Sequence, residues 1–318
     1  MDANMIVRIL FKTLMFFLAI FGGFVQAQNE TMFSHTFLNP AFVNPGYAGS
    51  DTSGYYNVMV MNKDQLIGFT AAPSTTVINV NGPVHIGGVP GGISVSFYRD
   101  QFGFINTPVF NLGYSYRAKV GKGSLGLGLS AGVFFSTIDP QGWILPENSS
   151  DPVLPTENAT KQSLDIGLGA YYSAGDFYAG LSVTHLTTPV LYHGDNASKM
   201  SSHYYLMSGY KFVLNNPDVE LRPSLLVLSD LNNFLYSINM VLFYQNKFWT
   251  GLDYKFGTSL GLIAGLNLLP DLRLSYSYGY NTSSLSKFSN GNHEIALTYR
   301  FSVYFEKGKQ KYKSVRYL

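Results

Sequence analysis

The stretch from Val109 to Phe135 alternates between apolar and small or polar residues, interrupted only by the turn sequence Val-Gly-Lys-Gly at 120–123. Its apolar series are Phe110, Leu112, Tyr114, Tyr116 and Ala118, then Leu125, Leu127, Leu129, Ala131 and Val133. Because successive side chains on a strand point to opposite faces, each half predicts a strand with one apolar and one polar face. Strands of this length suit a membrane barrel with a wet interior. A soluble β-sandwich, whose strands are usually shorter, fits this hairpin alone equally well.

Composition narrows the class of protein. Charged residues make up 13% of the chain, against roughly 25% in soluble domains, whereas glycine (32 residues) and aromatic residues (15%) are abundant. This mixture suits a closed sheet with a lipid-facing wall better than a helical enzyme. The net charge of +2 gives no argument for nucleic acid. Because the chain has no cysteine, disulfides, cysteine metal sites, a thiol nucleophile and a lipoprotein anchor are excluded.

Residues 1–27 have the pattern of a secretory signal peptide. Arg8 and Lys12 supply the positive start, an apolar run follows, and Val-Gln-Ala at 25–27 places small residues at the cleavage positions. We therefore expect the mature chain to begin at Gln28. The apolar run is shorter than the ~20 residues of a membrane helix, which disfavours the alternative of a retained span. No later segment is long and apolar enough to cross as a helix, so a membrane protein of this sequence must be a barrel.

Fourteen alternating segments follow within residues 54–303, each near the ~9–11 residues of a tilted membrane strand. Their predicted bounds are 54–63, 75–83, 91–99, 108–119, 124–135, 163–173, 177–186, 202–213, 220–228, 235–244, 248–256, 259–268, 272–280 and 292–303. Every second connection is short, and those between are mostly longer, which is typical of outer-membrane barrels. We therefore predict an all-β fold, a transmembrane antiparallel β-barrel of about 14 strands. The even count places both termini on the short-turn, periplasmic side.

The segments outside the predicted barrel differ from it in pattern. Residues 28–53 contain two Asn-Pro steps and do not alternate, which predicts an extended, turn-rich N-terminal periplasmic segment. This segment is either a plain lead into the first strand, or a plug of the barrel or a docking element. Residues 304–318 form a basic tail, which we expect to be solvated in the periplasm. Pro223 lies inside the ninth predicted strand and requires a bulge or an early strand start, because proline cannot donate to the ladder.

The sequence shows no catalytic constellation, and we predict no enzymatic activity, no cofactor and no metal site. No two of the six histidines have metal-binding spacing on one strand face. His293 and Glu294 resemble an acid–base pair, but neighbours on a strand point to opposite faces. A membrane esterase would need a serine and a histidine on neighbouring strands, which the sequence leaves open without singling out a pair.

The polar faces of the predicted strands make the lumen basic, which favours anions or an acidic peptide, although barrel interiors are polar in any case. Glycines on this inner series, such as Gly126, Gly128 and Gly169, reduce bulk in the lumen or allow curvature. Fourteen strands make a narrower barrel than the 16–18 of channel-forming porins, so a filled or peptide-holding lumen is favoured. The charged residues expected to face the lumen are Arg117, Asp165, Lys211, Arg222, Asp253, Lys255, Arg273, Glu294 and Arg300.

A series of motifs occurs in order along the chain. The first is Phe-Leu-Asn-Pro-Ala-Phe-Val-Asn-Pro-Gly-Tyr-Ala-Gly-Ser at 37–50, and the second is Asp-Gln-Leu-Ile-Gly-Phe-Thr-Ala-Ala-Pro at 64–73. Further motifs of the series lie at 178–186, 221–224, 248–255 and 293–301. Together these motifs resemble the PorP/SprF family of the Bacteroidetes type IX secretion and gliding motility system. Four positions depart from the family's pattern: Gly46 stands in place of alanine, Leu66 in place of tryptophan, and Lys63 and Asp64 in place of arginine and asparagine.

The resemblance implies an outer-membrane barrel of a Gram-negative cell, released from its signal peptide near Ala27, that helps to export or anchor large surface adhesins with a type B C-terminal domain. It implies as partners outer-membrane lipid, the secreted protein or its C-terminal domain, and periplasmic ring and anchor components, but no nucleic acid. The alternative function is a passive or substrate-specific porin. The motif residues expected to bind partners are Asn39, Pro40, Asn44, Pro45, Tyr47, Gly49, Gly68, Phe69 and Pro73.

Overall fold

The computed structural model describes residues 30–51, 53–138, 159–190 and 199–303, which contain fourteen strands. The strands are β1 (Tyr55–Asp64), β2 (Ser74–Ile86), β3 (Val89–Phe102), β4 (Ile105–Val120), β5 (Gly123–Ile138), β6 (Ala159–Ala174), β7 (Phe177–Thr184), β8 in two parts (His203–Tyr210 and Phe212–Val213), β9 (Val219–Ser229), β10 (Phe234–Tyr244), β11 (Phe248–Lys255), β12 (Ser259–Leu269), β13 (Leu272–Asn281) and β14 (Asn292–Ser302). Short 3-10 turns lie at Thr36–Leu38, Pro40–Phe42, Pro45–Tyr47 and Ser284–Lys287. The predicted signal peptide and basic tail lie outside the described residues.

The strands close into one barrel. Each strand pairs antiparallel with the next along the chain, and β14 pairs with β1 from Ser302 opposite Tyr55 to His293 opposite Asp64. β9 pairs with both β8 and β10, so the described strands leave no open edge. A closed sheet satisfies the backbone of every strand, which is what a lipid environment requires. The predicted all-β fold, an antiparallel barrel of fourteen strands, is confirmed.

The connections differ between the two ends of the barrel. At one end, which we call the turn rim, the strands are joined by the short turns 87–88, 121–122, 175–176, 214–218, 245–247 and 270–271. At the other end, the loop rim, the connections are 65–73, 103–104, 139–158, 185–202, 230–233, 256–258 and 282–291. The described strand ends that flank the long connections therefore all lie at one rim, as the sequence predicts for a membrane barrel.

Several strands extend further toward the loop rim than the sequence predicts. β3 runs to Phe102 although its alternation ends near Arg99, and Asp100 still pairs with Thr75. β6 begins at Ala159, four residues before the predicted start at 163. The apolar alternation fades in these ends while the backbone ladder continues. The pattern therefore marks the apolar band of the wall and not the full length of each strand.

Pro223 lies inside β9, opposite Met240 of β10. On the other side, the pairing of β9 with β8 is interrupted between Leu221 and Ser224, where β8 itself is broken at Lys211. The missing proline donor therefore falls beside a gap in the ladder, which is how a closed barrel accommodates this residue.

The barrel is apolar outside and polar inside. Leu112, Leu127 and Leu129 of the outer face are 51%, 52% and 53% exposed, whereas Ser115 and Arg117 of the inner face are buried. A soluble sandwich would bury the apolar series, so that alternative is wrong. None of the helices in the described ranges has the length and hydropathy needed to cross a membrane.

Residues 30–51, which we call the leader, cross the barrel interior from the loop rim to the turn rim. Glu30 contacts His185, which directly follows β7 at the loop rim. Gly49 approaches Gly91, near the start of β3 at the turn rim. β1 starts and β14 ends at the turn rim, as the even strand count requires. The start of the described chain nevertheless lies toward the opposite rim, because the leader crosses the lumen.

The hydrophobic core of the molecule lies between the leader and the wall. Apolar leader side chains insert among inward-facing wall residues, and Phe42 packs edge-on against Tyr98 of β3 with ring centroids 5.4 Å apart. The two largest clusters are Met32 and Val43 with Tyr171, Tyr205, Met207, Leu226 and Leu228, and Phe33 with Met59, Met61, Val77 and Ala296. The leader thus takes the place that a second sheet would have in a soluble β-protein.

Candidate functional site: the leader and the inner wall

Near the turn rim the leader and the wall meet at glycines. A Cβ atom added at Gly128 would lie 2.3 Å from the backbone nitrogen of Gly46, and one at Gly169 would lie 2.2 Å from Oδ1 of Asn44. Contacts this close leave no room for a side chain on the wall. The inner glycines therefore make room for the leader, which gives the predicted reduction of bulk a specific purpose.

Polar groups of the wall satisfy the backbone of the leader in this region. Nη1 of Arg117 donates to the carbonyls of Gly46 at 3.3 Å and Ala48 at 3.1 Å. The side chain of Asn44 caps the turn by accepting from the nitrogen of Gly46 at 2.9 Å, and its Nδ2 donates to the carbonyl of Ala170 at 3.1 Å. Because buried backbone groups need partners, these contacts fix the position of the turn at Pro45–Tyr47.

We expect Gly128→Ala to loosen the leader. The new Cβ would overlap the backbone of Gly46, and overpacking of this kind costs about 1–3 kcal/mol. Gly261→Ala is the matched control, because its Cβ would meet Asp253 at an ordinary 3.4 Å on the same inner face. The measurement is the temperature at which the purified barrel loses its compact form on a cold SDS gel. Equal transitions for the two variants would contradict the contact.

In the half of the lumen toward the loop rim, two leader residues bind carboxylates of the wall. Glu294 accepts from the backbone nitrogens of Ser34 at 3.0 Å and His35 at 2.9 Å, and from Nδ1 of His35 at 2.5 Å. Asp253 accepts from Oγ of Ser34 at 2.7 Å and forms an ion pair with Lys255. All five residues are buried. We call this set, together with Ser275, the latch.

Part of the latch has the distances of a catalytic triad. Nε2 of His35 lies 2.7 Å from Oγ of Ser275, and Glu294 holds the other ring nitrogen, as in a serine hydrolase. Ser275 is only 1% exposed. Its hydroxyl also contacts Nε1 of Trp249 at 3.3 Å and the carbonyl of Ala264 at 3.1 Å. A nucleophile needs an approach path, so this geometry favours a structural role.

A third contact between the leader and the wall lies at the start of the leader, at Glu30. Nε2 of His185 lies 3.1 Å from Oε2 of Glu30, and its Nδ1 lies 3.0 Å from Oδ2 of Asp165. Nδ1 of His203 lies 3.5 Å from the same Glu30 oxygen. Burial acts to raise the pKa of Glu30, but the attraction of His185 and His203 and the hydrogen bond from His185 outweigh it, so the pKa is lowered. Glu30 is therefore held as a carboxylate.

The charged residues expected in the lumen have two kinds of surroundings. Arg117, Asp165, Asp253, Lys255 and Glu294 are buried against the leader or beside it. The other four lie near the turn rim: Arg222 stacks on Phe243 at 4.0 Å, Arg273 is half-buried, Arg300 pairs with Asp271 at 3.4 Å, and Lys211 pairs with Asp176 at 2.9 Å.

The residues expected to bind partners separate into two places. Gly68 and Phe69 are exposed and Pro73 is half-buried, in the 65–73 connection at the loop rim. The leader residues of this set lie inside the barrel, where they are buried or, for Tyr47, half-buried: Asn39, Pro40, Asn44, Pro45, Tyr47 and Gly49. A partner can reach this second group only if the leader moves.

Sequence reasoning missed His35, His185 and His203, because it looked for ligands on one strand face. The three histidines come from the leader, from the residue after β7 and from the start of β8. His203 shares the inner series of β8 with Tyr205, so strand parity alone gives its direction. No periodic signal exists for the leader, so the partners of His35 required the structure.

A family model described as Type IX secretion system membrane protein PorP/SprF matches residues 25–299 of the chain. No curated protein sequence matches it. Among solved structures, the outer membrane protein Omp33 of Acinetobacter baumannii is similar with a TM-score of 0.45 and 10% identity, over 79% of this chain and 99% of that chain. A mutant of the Rh. blastica porin is similar with a TM-score of 0.35 and 10% identity, over 78% and 98% of the two chains. Both structural likenesses are too weak to bear on function.

Proposed function

We propose that this chain, which belongs to the PorP/SprF family of type IX secretion system membrane proteins, is an outer-membrane component that helps to export or anchor large surface proteins. The observation that carries the proposal is the leader, which occupies the lumen from rim to rim. A barrel filled by its own chain is suited to holding a partner at its rims. It is poorly suited to free diffusion of solutes.

The loop rim supports a contact with the exported protein. Phe69 is a large apolar side chain that is 39% exposed, and it lies beside the exposed Gly68. An exposed aromatic side chain is a common anchor in protein interfaces. We propose this connection as the contact for a secreted adhesin or its type B C-terminal domain.

The turn rim supports a contact with periplasmic ring or anchor components. The guanidinium groups of Arg222 and Arg300 both lie near Arg273. Glu220 pairs with Arg222 and Asp271 with Arg300, so the group keeps a net positive charge through Arg273. Net positive charge at the mouth of a barrel attracts an acidic segment. The buried leader residues of the family motif then act indirectly, by holding the leader between the two rims.

The orientation of the barrel gives a direct prediction, because the natural chain has no cysteine. A single cysteine in Phe69→Cys should react with a membrane-impermeant maleimide on intact cells. Lys122→Cys, in the exposed turn between β4 and β5, should react only after the outer membrane is permeabilised. The reverse pattern would place the loop rim in the periplasm and contradict the proposal.

The proposed function is tested by purifying the protein from native membranes in mild detergent and identifying what stays bound. We expect a large secreted protein and periplasmic components of the machine. Phe69→Asp should lose the secreted protein, whereas Phe102→Asp, at another exposed phenylalanine near the loop rim, should retain it. Recovery of the barrel with lipid alone from wild-type membranes would overturn the proposal.

A further inference from the structure

The contact of Glu30 with His185 and His203 has the composition of a metal site. Its three ligand atoms lie within 4.8 Å of one another. They come from three separate places: the start of the leader, the residue after β7 and the first residue of β8. Imidazole nitrogen and carboxylate oxygen are ligands that zinc and neighbouring divalent ions accept.

Two of the three separations between ligand atoms fit a tetrahedral ion, and the third, between the two histidines, is at most 4.8 Å. Metal–ligand bonds of about 2.1 Å in tetrahedral geometry separate neighbouring ligand atoms by about 3.4 Å. Oε2 of Glu30 lies 3.1 Å from Nε2 of His185 and 3.5 Å from Nδ1 of His203. Small adjustments of these side chains would admit an ion between them.

His203 gives the second, independent observation. Its side chain is only 2% exposed, and its Nδ1 makes no hydrogen bond among the described residues, its one ion-pair contact there being with Glu30 at 3.5 Å. Buried polar atoms without a hydrogen bond are rare, and a bound ion is one of their explanations. A protonated His185 between Asp165 and Glu30 would explain the pairing of His185 alone. It would leave the buried Nδ1 of His203 without a hydrogen bond, 3.5 Å from Glu30.

The surroundings complete the site. Asp165 binds Nδ1 of His185, which fixes the ring so that Nε2 points to the ligand position, as in carboxylate–histidine–metal arrangements. A cavity of about 40 Å³ adjoins the cluster and is lined by Glu30, His185, Thr184 and Tyr205 among others. It has room for a water molecule beside Glu30 and His185.

We propose that Glu30, His185 and His203 bind one divalent transition-metal ion of the zinc class, which fastens the start of the leader to the wall. The ion would cross-link leader, β7 and β8 near the loop rim. The proposal departs from the expectation of no metal site, which rested on spacing within single strands. It does not depend on which partner the barrel serves.

The test uses the full chain without a histidine tag, purified in detergent and stripped with a chelator. Co²⁺ is added and followed by its visible absorption, and Zn²⁺ is added in a calorimeter. We expect one equivalent to bind and to raise the temperature of the compact-form transition. His203→Ala should bind at least 100-fold more weakly, and Asp165→Asn about 10–100-fold more weakly.

His85→Ala is the matched control, because His85 is exposed on β2 near the turn rim. It should bind as wild type does. If His203→Ala fails to fold, Glu30→Gln provides a variant of nearly the same shape with a weaker ligand. Absence of binding to the wild-type barrel, or equal binding by wild type, His203→Ala and Glu30→Gln, would overturn the site.

Discussion

Deletion of residues 37–50 is expected to convert an electrically silent barrel into one that conducts ions. Fourteen paired strands close without the leader, because their backbone ladder runs from β1 to β14 and back. The deleted residues include the turn at Pro45–Tyr47, which fills the lumen near the turn rim against Gly128 and Gly169. Without the deleted residues, we expect a water-filled path to open past the basic side chains of the wall near the turn rim. The measurement is single-channel conductance in planar bilayers.

A deletion of residues 284–287 is the control for this experiment. It shortens the 282–291 connection at the loop rim by a similar 3-10 turn without touching the leader. We expect it to remain silent. In cells, the 37–50 deletion should still insert but lose its bound partner. High conductance of the wild-type barrel would contradict the filled lumen and favour the porin alternative.

Asp253→Ala is expected to be the most destabilising single change in the latch. Asp253 is fully buried, pairs with Lys255 and accepts hydrogen bonds from Ser34 and Ser237. Its removal leaves the buried ammonium group of Lys255 without its carboxylate. Breaking a buried pair in this way costs about 3–5 kcal/mol. The thermal transition of the compact barrel should fall accordingly.

Two further variants show whether the unpaired charge is the cause. Asp271→Ala breaks the half-exposed pair with Arg300 and should cost at most about 1 kcal/mol. The double variant Asp253→Ala with Lys255→Met removes both charges, and it should recover much of the loss. If the double variant is as unstable as Asp253→Ala alone, the loss of stability comes from other contacts of the latch and not from the unpaired charge.

The fold was predictable because a barrel wall repeats one physical rule at every strand. The alternation around Leu127 and Leu129 reports a lipid-facing side directly, since one face must be apolar and the other need not be. Pro223 was an exception, because the alternation showed that it lies inside a strand but not how the strand accommodates it. Its explanation required the break in β8 at Lys211, which has no local sequence signal.

The path of the leader was beyond sequence reasoning for a different reason. Residues 30–51 have no regular period, and their contacts join positions far apart in the chain, such as His35 with Glu294. The inner glycines were recognised as space-making, but the occupant of the space was not. Side chains at Glu30, His185 and His203 meet only because the leader enters from the loop rim.

The most direct test of the leader-filled lumen is photo-cross-linking in native membranes. Phe42 is replaced by p-benzoyl-phenylalanine, whose ring would lie against Tyr98 at the place where the Phe42 ring now packs. After irradiation and digestion, mass spectrometry identifies the joined peptides. We predict a cross-link within the same chain, between the leader and β3. Cross-links only to other proteins would contradict the account, because they would place the leader outside the barrel.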